Sequence, residues 1–397
     1  MLLKRCSLTL LFGSTSYTNV TDHSMWCRTL SPRREAELIM IRCHQRGTAI
    51  HNGTVMNHPF PKTELIAAMR CEPTALLPCK LDWPMRRVRY WGGDPNDSRA
   101  DLDGSQSGSD SSRSSLATQW SDLWGTAWRK ESSDLRMLPF PVEYPLDASL
   151  DRLDAMNWPD ANDPRWFVPL RSELQATPAD SERLLVAEHP FAIYERAWLL
   201  MGMQPLLTAM VDVPDRVDEL FARIGAFELS IARRYVALGV EAAWISDDYG
   251  MNSALMFSPE AWDRFVRPQL EPIVQCYHDA GALVVLHSCG NISSLVTRFV
   301  EIGIDVLDPL QPSCNQLDEV RVATAGRICL CGGVEASTLL AGDVKATMLA
   351  THQRIVQLGK KGGYIVGPDD EWDYPPATRE AMLKAVSIYR KRSASQG

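Results

Sequence analysis

The 397-residue chain has the composition of a globular protein, with 45% hydrophobic and 23% charged residues, which excludes a disordered or fibrous class. Its net charge of -8 provides no field that attracts nucleic acid or anionic lipid. No apolar run approaches the roughly 18 residues that span a bilayer. We therefore expect a small-molecule substrate and no nucleic-acid or membrane partner. The length suits one (β/α) barrel with additions, although two smaller domains also fit.

The ten cysteines are scattered without the spacing of a disulfide framework, which predicts a reducing, cytoplasmic location.

Residues 1–55 show two cations and a short apolar stretch but neither a convincing cleavage site nor periodicity, which predicts a leader or disordered extension. We place a barrel domain at 56–392 and a tail at 393–397. Within the barrel, the Ser-rich segment 93–116 is too poor in apolar side chains to order, so we predict a disordered surface loop.

The predicted elements alternate regularly over the second half of the chain. In chain order they are a helix at 62–70, a strand at 74–81, an irregular Trp-rich stretch at 120–164, strands at 184–187, 242–246, 282–286, 305–307, 327–330 and 363–366, and helices at 214–238, at 259–280 and from residues 292, 317, 344 and 377. Ser258 before Pro259 is typical of a helix start. This alternation predicts an α/β fold with a parallel sheet, and the number of units favours a closed (β/α)8 TIM barrel. No Gly-x-Gly-x-x-Gly follows the first strand, so a doubly wound dinucleotide fold is the weaker interpretation.

Polar side chains follow nearly every predicted strand, at the end where such barrels build their active sites. We predict catalytic roles for Asp247, Asp248 and Tyr249, and substrate binding by Glu188, His189, Gln311 and Glu335. The alternative for the two aspartates is a cap on the following loop. Arg86, Arg87 and Arg89 either meet an anionic substrate or form a solvated basic turn.

The most specific pattern is His287-x-Cys289. Residues two apart on an extended segment point the same way, and an imidazole with a thiolate suits Zn²⁺. Zinc needs at least one more protein ligand, for which Cys331, Glu335 and the pair Asp369 and Asp370 are candidates. The alternative is that His287 is a hydrogen-bonded core histidine and Cys289 a small buried hydrophobe.

Several segments between about residues 60 and 390 resemble the uroporphyrinogen decarboxylase superfamily, which includes haem-pathway decarboxylases and zinc-dependent corrinoid methyltransferases. These segments are 246–250 with Ser258-Pro-Glu and Arg267-Pro, 281–292, 303–312, 331–334 and 362–368 with Tyr374-Pro-Pro. The resemblance implies a (β/α)8 barrel.

Two differences separate the branches of this superfamily. The decarboxylases carry an early Arg-Gln-Ala-Gly-Arg-Tyr segment whose arginines neutralise the substrate carboxylates, and the matching positions from Arg70 do not reproduce it. The methyltransferase branch resembles this chain better, because its His-x-Cys zinc motif matches His287 and Cys289. Its third ligand is a cysteine near the last strand end, where this chain has Asp369.

The resemblance therefore implies zinc held by His287, Cys289 and Asp369. The expected reaction moves a methyl group between a small methylated compound or corrinoid and an acceptor, with Asp248 and Tyr249 positioning substrate or moving a proton. The alternatives are metal-free decarboxylation of a uroporphyrinogen-like tetrapyrrole, and a non-catalytic corrinoid or tetrapyrrole binder. The chain has no Asp-x-His-x-x-Gly cobalamin signature, so a corrinoid co-substrate is expected on a separate corrinoid protein or free in solution.

Overall fold

A computed structural model describes residues 60–90, 118–130, 139–175, 182–359 and 362–394. The strands are β1 (Met85–Arg89), β2 (Thr118–Ser121), β3 (Ala127–Lys130), β4 (Phe140–Glu143), β5 (Leu184–His189), β6 (Ala242–Ser246), β7 (Leu283–His287), β8 (Val306–Leu310), β9 (Cys329–Val334) and β10 (Tyr364–Pro368). The predicted leader at 1–55 and the predicted loop at 93–116 lie outside the described residues.

The described residues contain the predicted helices and four further ones, at Val168–Gln175, Tyr194–Met201, Met203–Asp212 and Ala336–Leu340, which the sequence pattern did not predict. In chain order, the α-helices are α1 (Lys62–Met69), α2 (Val168–Gln175), α3 (Tyr194–Met201), α4 (Met203–Asp212), α5 (Pro214–Ala237), α6 (Pro259–Ala261), α7 (Arg267–Asp279), α8 (Val296–Glu301), α9 (Leu317–Ala323), α10 (Ala336–Leu340), α11 (Val344–Leu358) and α12 (Pro376–Ala394). The helix predicted at 259–280 starts as expected, because the Ser258 hydroxyl accepts from the Ala261 amide at 3.2 Å. A π-helical segment, Trp262–Val266, divides it into α6 and α7.

Seven strands form one curled parallel sheet in the order β1-β5-β6-β7-β8-β9-β10, which confirms the α/β fold. The strand predicted at 74–81 is reduced to a single parallel bridge between Cys79 and Val366 on β10, and β1 begins later, at Met85. Pro78 lacks an amide proton, which limits the ladder that this segment can form. Closure into an eight-stranded barrel stays a prediction.

Alternate residues along the sheet belong to two separate apolar clusters. The inner cluster takes Leu184, Val186, Ala242, Trp244, Leu283 and Val285, and the residues between them pack under the helices. Because side chains alternate faces along a strand, Glu188 and His287 continue the inner row. His189 continues the outer row.

The Trp-rich stretch contains an antiparallel sheet of strands β2, β3 and β4, which the sequence analysis treated as irregular. Trp120 pairs with Trp128 across two of these strands, and the side chains of Trp124 and Trp128 are buried. The Asp122 carboxylate accepts from the Trp128 indole at 3.0 Å and from the Trp124 amide at 2.9 Å. The strands have four residues each, too few for their alternation to be recognised.

Among the helices of the described part of the chain, none combines the length and the apolar character that a membrane crossing needs.

Candidate metal centre inside the sheet

Three buried side chains bring their ligand atoms together where β6 and β7 end. His287 Nε2 lies 3.7 Å from Cys289 Sγ and 4.0 Å from Asp248 Oδ1, and the ligand atoms of the three residues all lie within 4.8 Å of one another. The Cys289 amide donates to Asp248 Oδ1 at 2.7 Å. The loop after β7 therefore holds the Asp248 carboxylate beside the other two groups.

The donor set fits zinc. Tetrahedral zinc with bonds of about 2.0 to 2.3 Å separates its ligand atoms by roughly 3.3 to 3.8 Å, close to the two distances from His287 Nε2. One nitrogen, one sulfur and one oxygen donor leave a fourth position for a substrate, as in catalytic zinc sites. Cys289 carries a disulfide in the structure, so a thiolate ligand at this position requires its reduction.

A sharp turn places Cys289 at this site. Gly290 has φ +83°, a conformation that favours glycine, and a Cβ there would come within 2.3 Å of the Gly250 backbone. The Gln311 side-chain oxygen accepts from the Gly290 amide at 2.6 Å. Gln311, predicted to bind substrate, thus supports the loop that carries Cys289.

Two buried groups lie behind His287. Asp308 Oδ2 lies 3.1 Å from His287 Nδ1, and Asp308 Oδ1 accepts from Lys80 Nζ at 2.7 Å. Burial alone would raise the pKa of Asp308, but the charge of Lys80 and the His287 contact hold this pKa well below its usual value. Burial alone would lower the pKa of Lys80, because it favours the neutral amine. The negative charges of Asp308 and Glu371 have the larger combined effect and raise this pKa above its usual value. Asp308 is one of the polar residues at predicted strand ends, but no local sequence pattern predicts its contact with Lys80.

A second charged layer contains two of the arginines of β1. Arg87 reaches Glu188 at 3.1 Å and Glu371 at 2.7 Å, and Arg89 reaches Glu188 at 2.7 Å. Although burial would raise the Glu371 pKa, Arg87 and Lys80 hold it below its usual value. The expectation of a solvated basic turn is wrong for Arg87 and Arg89, since both lie on the inner row of β1.

Of the three predicted catalytic residues, Asp248 belongs to the ligand group and the other two face elsewhere. The Asp247 carboxylate accepts from the amides of Tyr194 at 3.0 Å and Glu195 at 2.8 Å, and so caps α3. The Tyr249 ring is fully buried against Phe257, and burial raises the pKa of its hydroxyl well above the usual value. Asp247 is therefore a cap, but of the distant helix α3 and not of the loop that follows it, as the alternative interpretation had it.

Of the predicted substrate-binding residues not yet placed, His189 and Glu335 lie away from the ligand group. His189 Nδ1 is 2.7 Å from Glu228 Oε2, and its Nε2 is 2.5 Å from the Tyr277 hydroxyl, so this ring joins the sheet to α5 and α7. Glu335 is exposed. The period of two along β5, which turns His189 outward, accounts for the difference from the prediction.

The predicted third zinc ligand, Asp369, does not join His287 and Cys289 in the group, and Asp248 does. Asp369 Oδ1 accepts from the Ala336 amide at 2.7 Å, which directs its carboxyl group toward the start of α10. Burial raises the pKa of Asp369 to about 7. Asp248 adjoins Asp247 in the sequence, and its position beside Cys289 depends on the contact between two strand ends.

Comparison with known proteins gives a family and a fold. A model of the uroporphyrinogen decarboxylase (URO-D) family matches residues 192–391. The structure of a methyltransferase from Methanosarcina mazei aligns with TM-score 0.59 and 16% identity over 83% of this chain and 99% of that chain, which shows a shared fold. A B12-independent methionine synthase from Shewanella sp. W3-18-1 aligns with TM-score 0.38 and 10% identity over 54% and 63% of the two chains, too weakly to support an argument. No curated protein matches the sequence.

Proposed function

The chain belongs to the uroporphyrinogen decarboxylase family, and from that premise we propose that it is a zinc-dependent enzyme of methyl transfer. The transfer would run between a small methylated compound or a corrinoid and an acceptor. The observation that carries the proposal is the buried group of Asp248, His287 and Cys289, with one oxygen, one nitrogen and one sulfur donor. The fold shared with the Methanosarcina methyltransferase supports it.

The residues at this site would have two roles, metal binding and support of the loop that carries a metal ligand. Asp248, His287 and reduced Cys289 would hold the metal, and the hydrogen bond from the Cys289 amide to Asp248 keeps two of these ligands together before the metal binds. Zinc would act there as a Lewis acid toward an acceptor thiol. Gln311 would keep the loop after Cys289 in place through its contact with the Gly290 amide.

The charges of the inner row favour a divalent cation. Among the described residues, the four carboxylates of this network outnumber its three cations, and a thiolate at Cys289 would add another negative charge. The carboxylates belong to Asp248, Asp308, Glu188 and Glu371, and the cations to Lys80, Arg87 and Arg89. A buried negative surplus is costly unless a cation offsets it.

The same network disfavours a uroporphyrinogen-like substrate. Its many carboxylates need cations, and the three cations of the inner row already contact carboxylates of the chain. Decarboxylation of a tetrapyrrole is therefore the weaker alternative.

Methyl transfer can be tested with the reduced full-length chain, zinc, methylcobalamin and a panel of small thiols. We expect the methylcobalamin absorbance to decay and a methyl thioether to appear by mass spectrometry, with both signals lost on chelation and in His287→Gln. Glu228→Gln is the matched control, because it changes a carboxylate that contacts a histidine on the outer face of the sheet. Turnover that survives chelation, or an absence of both turnover and zinc uptake in the wild type, would contradict the proposal.

A further inference from the structure

A chain of two hydrogen bonds reaches His287 from the side opposite its candidate metal-binding nitrogen. Lys80 Nζ donates to Asp308 Oδ1 at 2.7 Å, and Asp308 Oδ2 lies 3.1 Å from His287 Nδ1. The side chains of Lys80, Asp308 and His287 are 4%, 0% and 8% exposed. The two oxygens of Asp308 therefore serve different partners in a place shielded from water.

The chemistry of these groups sets the direction of each hydrogen bond. An ammonium group donates only, and a carboxylate accepts only, so His287 Nδ1 must carry the proton that it shares with Asp308. The other nitrogen, Nε2, is then the acceptor that faces Cys289 and Asp248. We propose that Lys80 and Asp308 are a positioning pair that fixes the tautomer and the ring orientation of His287. The inference rests on the proposed function only in one respect, namely that zinc is the species that Nε2 binds.

Lys80 itself is positioned by a close backbone approach. Its amide donates to the Val366 carbonyl at 2.8 Å, and a Cβ on Gly367 would come within 2.4 Å of the Lys80 Cβ. The absence of a side chain at Gly367 thus allows Lys80 to lie against β10 and reach Asp308. Gly367→Ala should displace Lys80 and reproduce the effect of losing its ammonium group.

The substitution Asp308→Asn separates positioning from mere packing, because it keeps the shape of the side chain. Lys80 can only donate, so it should hold the new amide oxygen toward itself and turn the NH2 group toward His287 Nδ1. That arrangement makes Nδ1 an acceptor and moves the ring proton to Nε2, where it blocks metal binding. We expect zinc affinity to fall about 10- to 100-fold.

Adding Lys80→Met to Asp308→Asn should recover part of this loss. Without the ammonium group, the amide can rotate so that its oxygen accepts from Nδ1, and Nε2 becomes an acceptor again. We expect the double variant to bind zinc several-fold more tightly than Asp308→Asn. A purely structural role predicts the opposite, since removing a second buried group would weaken the site further.

The test combines zinc competition under reductant with ¹⁵N NMR of histidine-labelled, metal-free, full-length chain, in which His287→Gln identifies the His287 signals. We expect the proton on Nδ1 in the wild type and the double variant and on Nε2 in Asp308→Asn. A wild-type proton on Nε2, or a double variant that binds zinc no better than Asp308→Asn, would overturn the inference. A wild type with the Nδ1 proton that binds no zinc would support the positioning pair and contradict the proposed function.

Glu228→Gln is the control for general destabilisation, because Glu228 contacts His189 Nδ1 at 2.7 Å on the other face of the sheet. It should leave the His287 signals and zinc affinity unchanged. A loss of zinc affinity equal to that of Asp308→Asn would show that damage to any buried histidine pair weakens the site, and would overturn the positioning role.

Discussion

Two buried histidines each end a strand of the parallel sheet and differ in the group that their second ring nitrogen contacts. His189 ends β5 and His287 ends β7, and both are buried with Nδ1 near a carboxylate, at 2.7 Å and 3.1 Å. Nε2 of His189 is 2.5 Å from the hydroxyl of Tyr277, whereas Nε2 of His287 faces Cys289 and Asp248. Burial and a strand-end position thus do not distinguish a structural histidine from a candidate ligand, but the partner of the second nitrogen does.

The faces of the sheet account for this difference. The outer face is covered by α5 and α7, which supply Glu228 and Tyr277 and so complete the hydrogen bonds of His189. The inner face of the sheet carries Asp308 on β8 and Arg87 on β1, and Lys80 reaches the same interior from the segment that is bridged to β10. A polar network on the outer face therefore joins helices to strands, while the inner one concentrates charge around a small space.

The largest expected effect is the loss of zinc in His287→Gln. Removing one of three protein ligands should weaken zinc binding at least about 100-fold. Competition against a chromophoric chelator under reductant measures the affinity, with Glu228→Gln expected to stay within about threefold of the wild type. Wild-type zinc affinity in His287→Gln would show that the two histidines do not differ as described.

The next effect concerns stability on the outer face. His189→Ala leaves buried Glu228 and the Tyr277 hydroxyl without their shared partner, so we expect the free energy of unfolding to fall by about 3 kcal/mol. Urea unfolding measures the change, and zinc stoichiometry of the folded variant should equal that of the wild type. A loss of zinc with little loss of stability would reverse the assignment of the two histidines.

A third prediction uses the buried carboxyl of Asp369, whose pKa is raised to about 7. A raised pKa means that the folded state favours the protonated form, so this contribution to stability is present near pH 4 and is lost as the pH rises through 7. Asp369→Asn imitates the protonated form, so its free energy of unfolding should not carry this pH dependence. Relative to the wild type, the unfolding free energy of Asp369→Asn should rise by on the order of 2 kcal/mol between pH 4 and pH 8. Unfolding free energies across that range measure this rise, and a constant difference would refute it.

The smallest effect separates a cap from a catalytic group. Asp247→Ala should lower the free energy of unfolding by about 1 kcal/mol, because it removes the acceptor for two amides at the start of α3. Asp247→Asn keeps an acceptor and should recover most of this stability, and both variants should transfer methyl groups at the wild-type rate. If Asp247→Asn were as stable as the wild type but inactive, Asp247 would have a role in the reaction and would not be only a helix cap.

The sequence predicts the strands of the second half well, because each is a short apolar run between helical patterns. The strand at Ala242–Ser246 agrees to the residue. These strands are apolar on both faces, so their pattern does not say which face is the interior, and Glu188 and His189 could not be told apart. The three-stranded sheet around Trp124 was missed because its strands are too short to show a period.

The sequence predicts the part of the candidate site that follows from local spacing and misses the part that depends on contacts between distant residues. His287 and Cys289 lie two residues apart on an extended segment, and the structure brings their side chains together. The contact between Lys80 and Asp308 joins residues 228 positions apart, and no local pattern encodes it. The same reason explains why Asp248, and not Asp369, completes the group.

X-ray absorption at the zinc edge, on the reduced full-length chain loaded with zinc, tests whether Asp248, His287 and Cys289 bind the metal. We expect about one zinc per chain, with one sulfur neighbour at about 2.3 Å and nitrogen or oxygen neighbours at about 2.0 to 2.1 Å. The sulfur neighbour should be absent in Cys289→Ser. No stoichiometric zinc, or a zinc shell without sulfur in the wild type, would contradict the assignment of Asp248, His287 and Cys289 as the metal site.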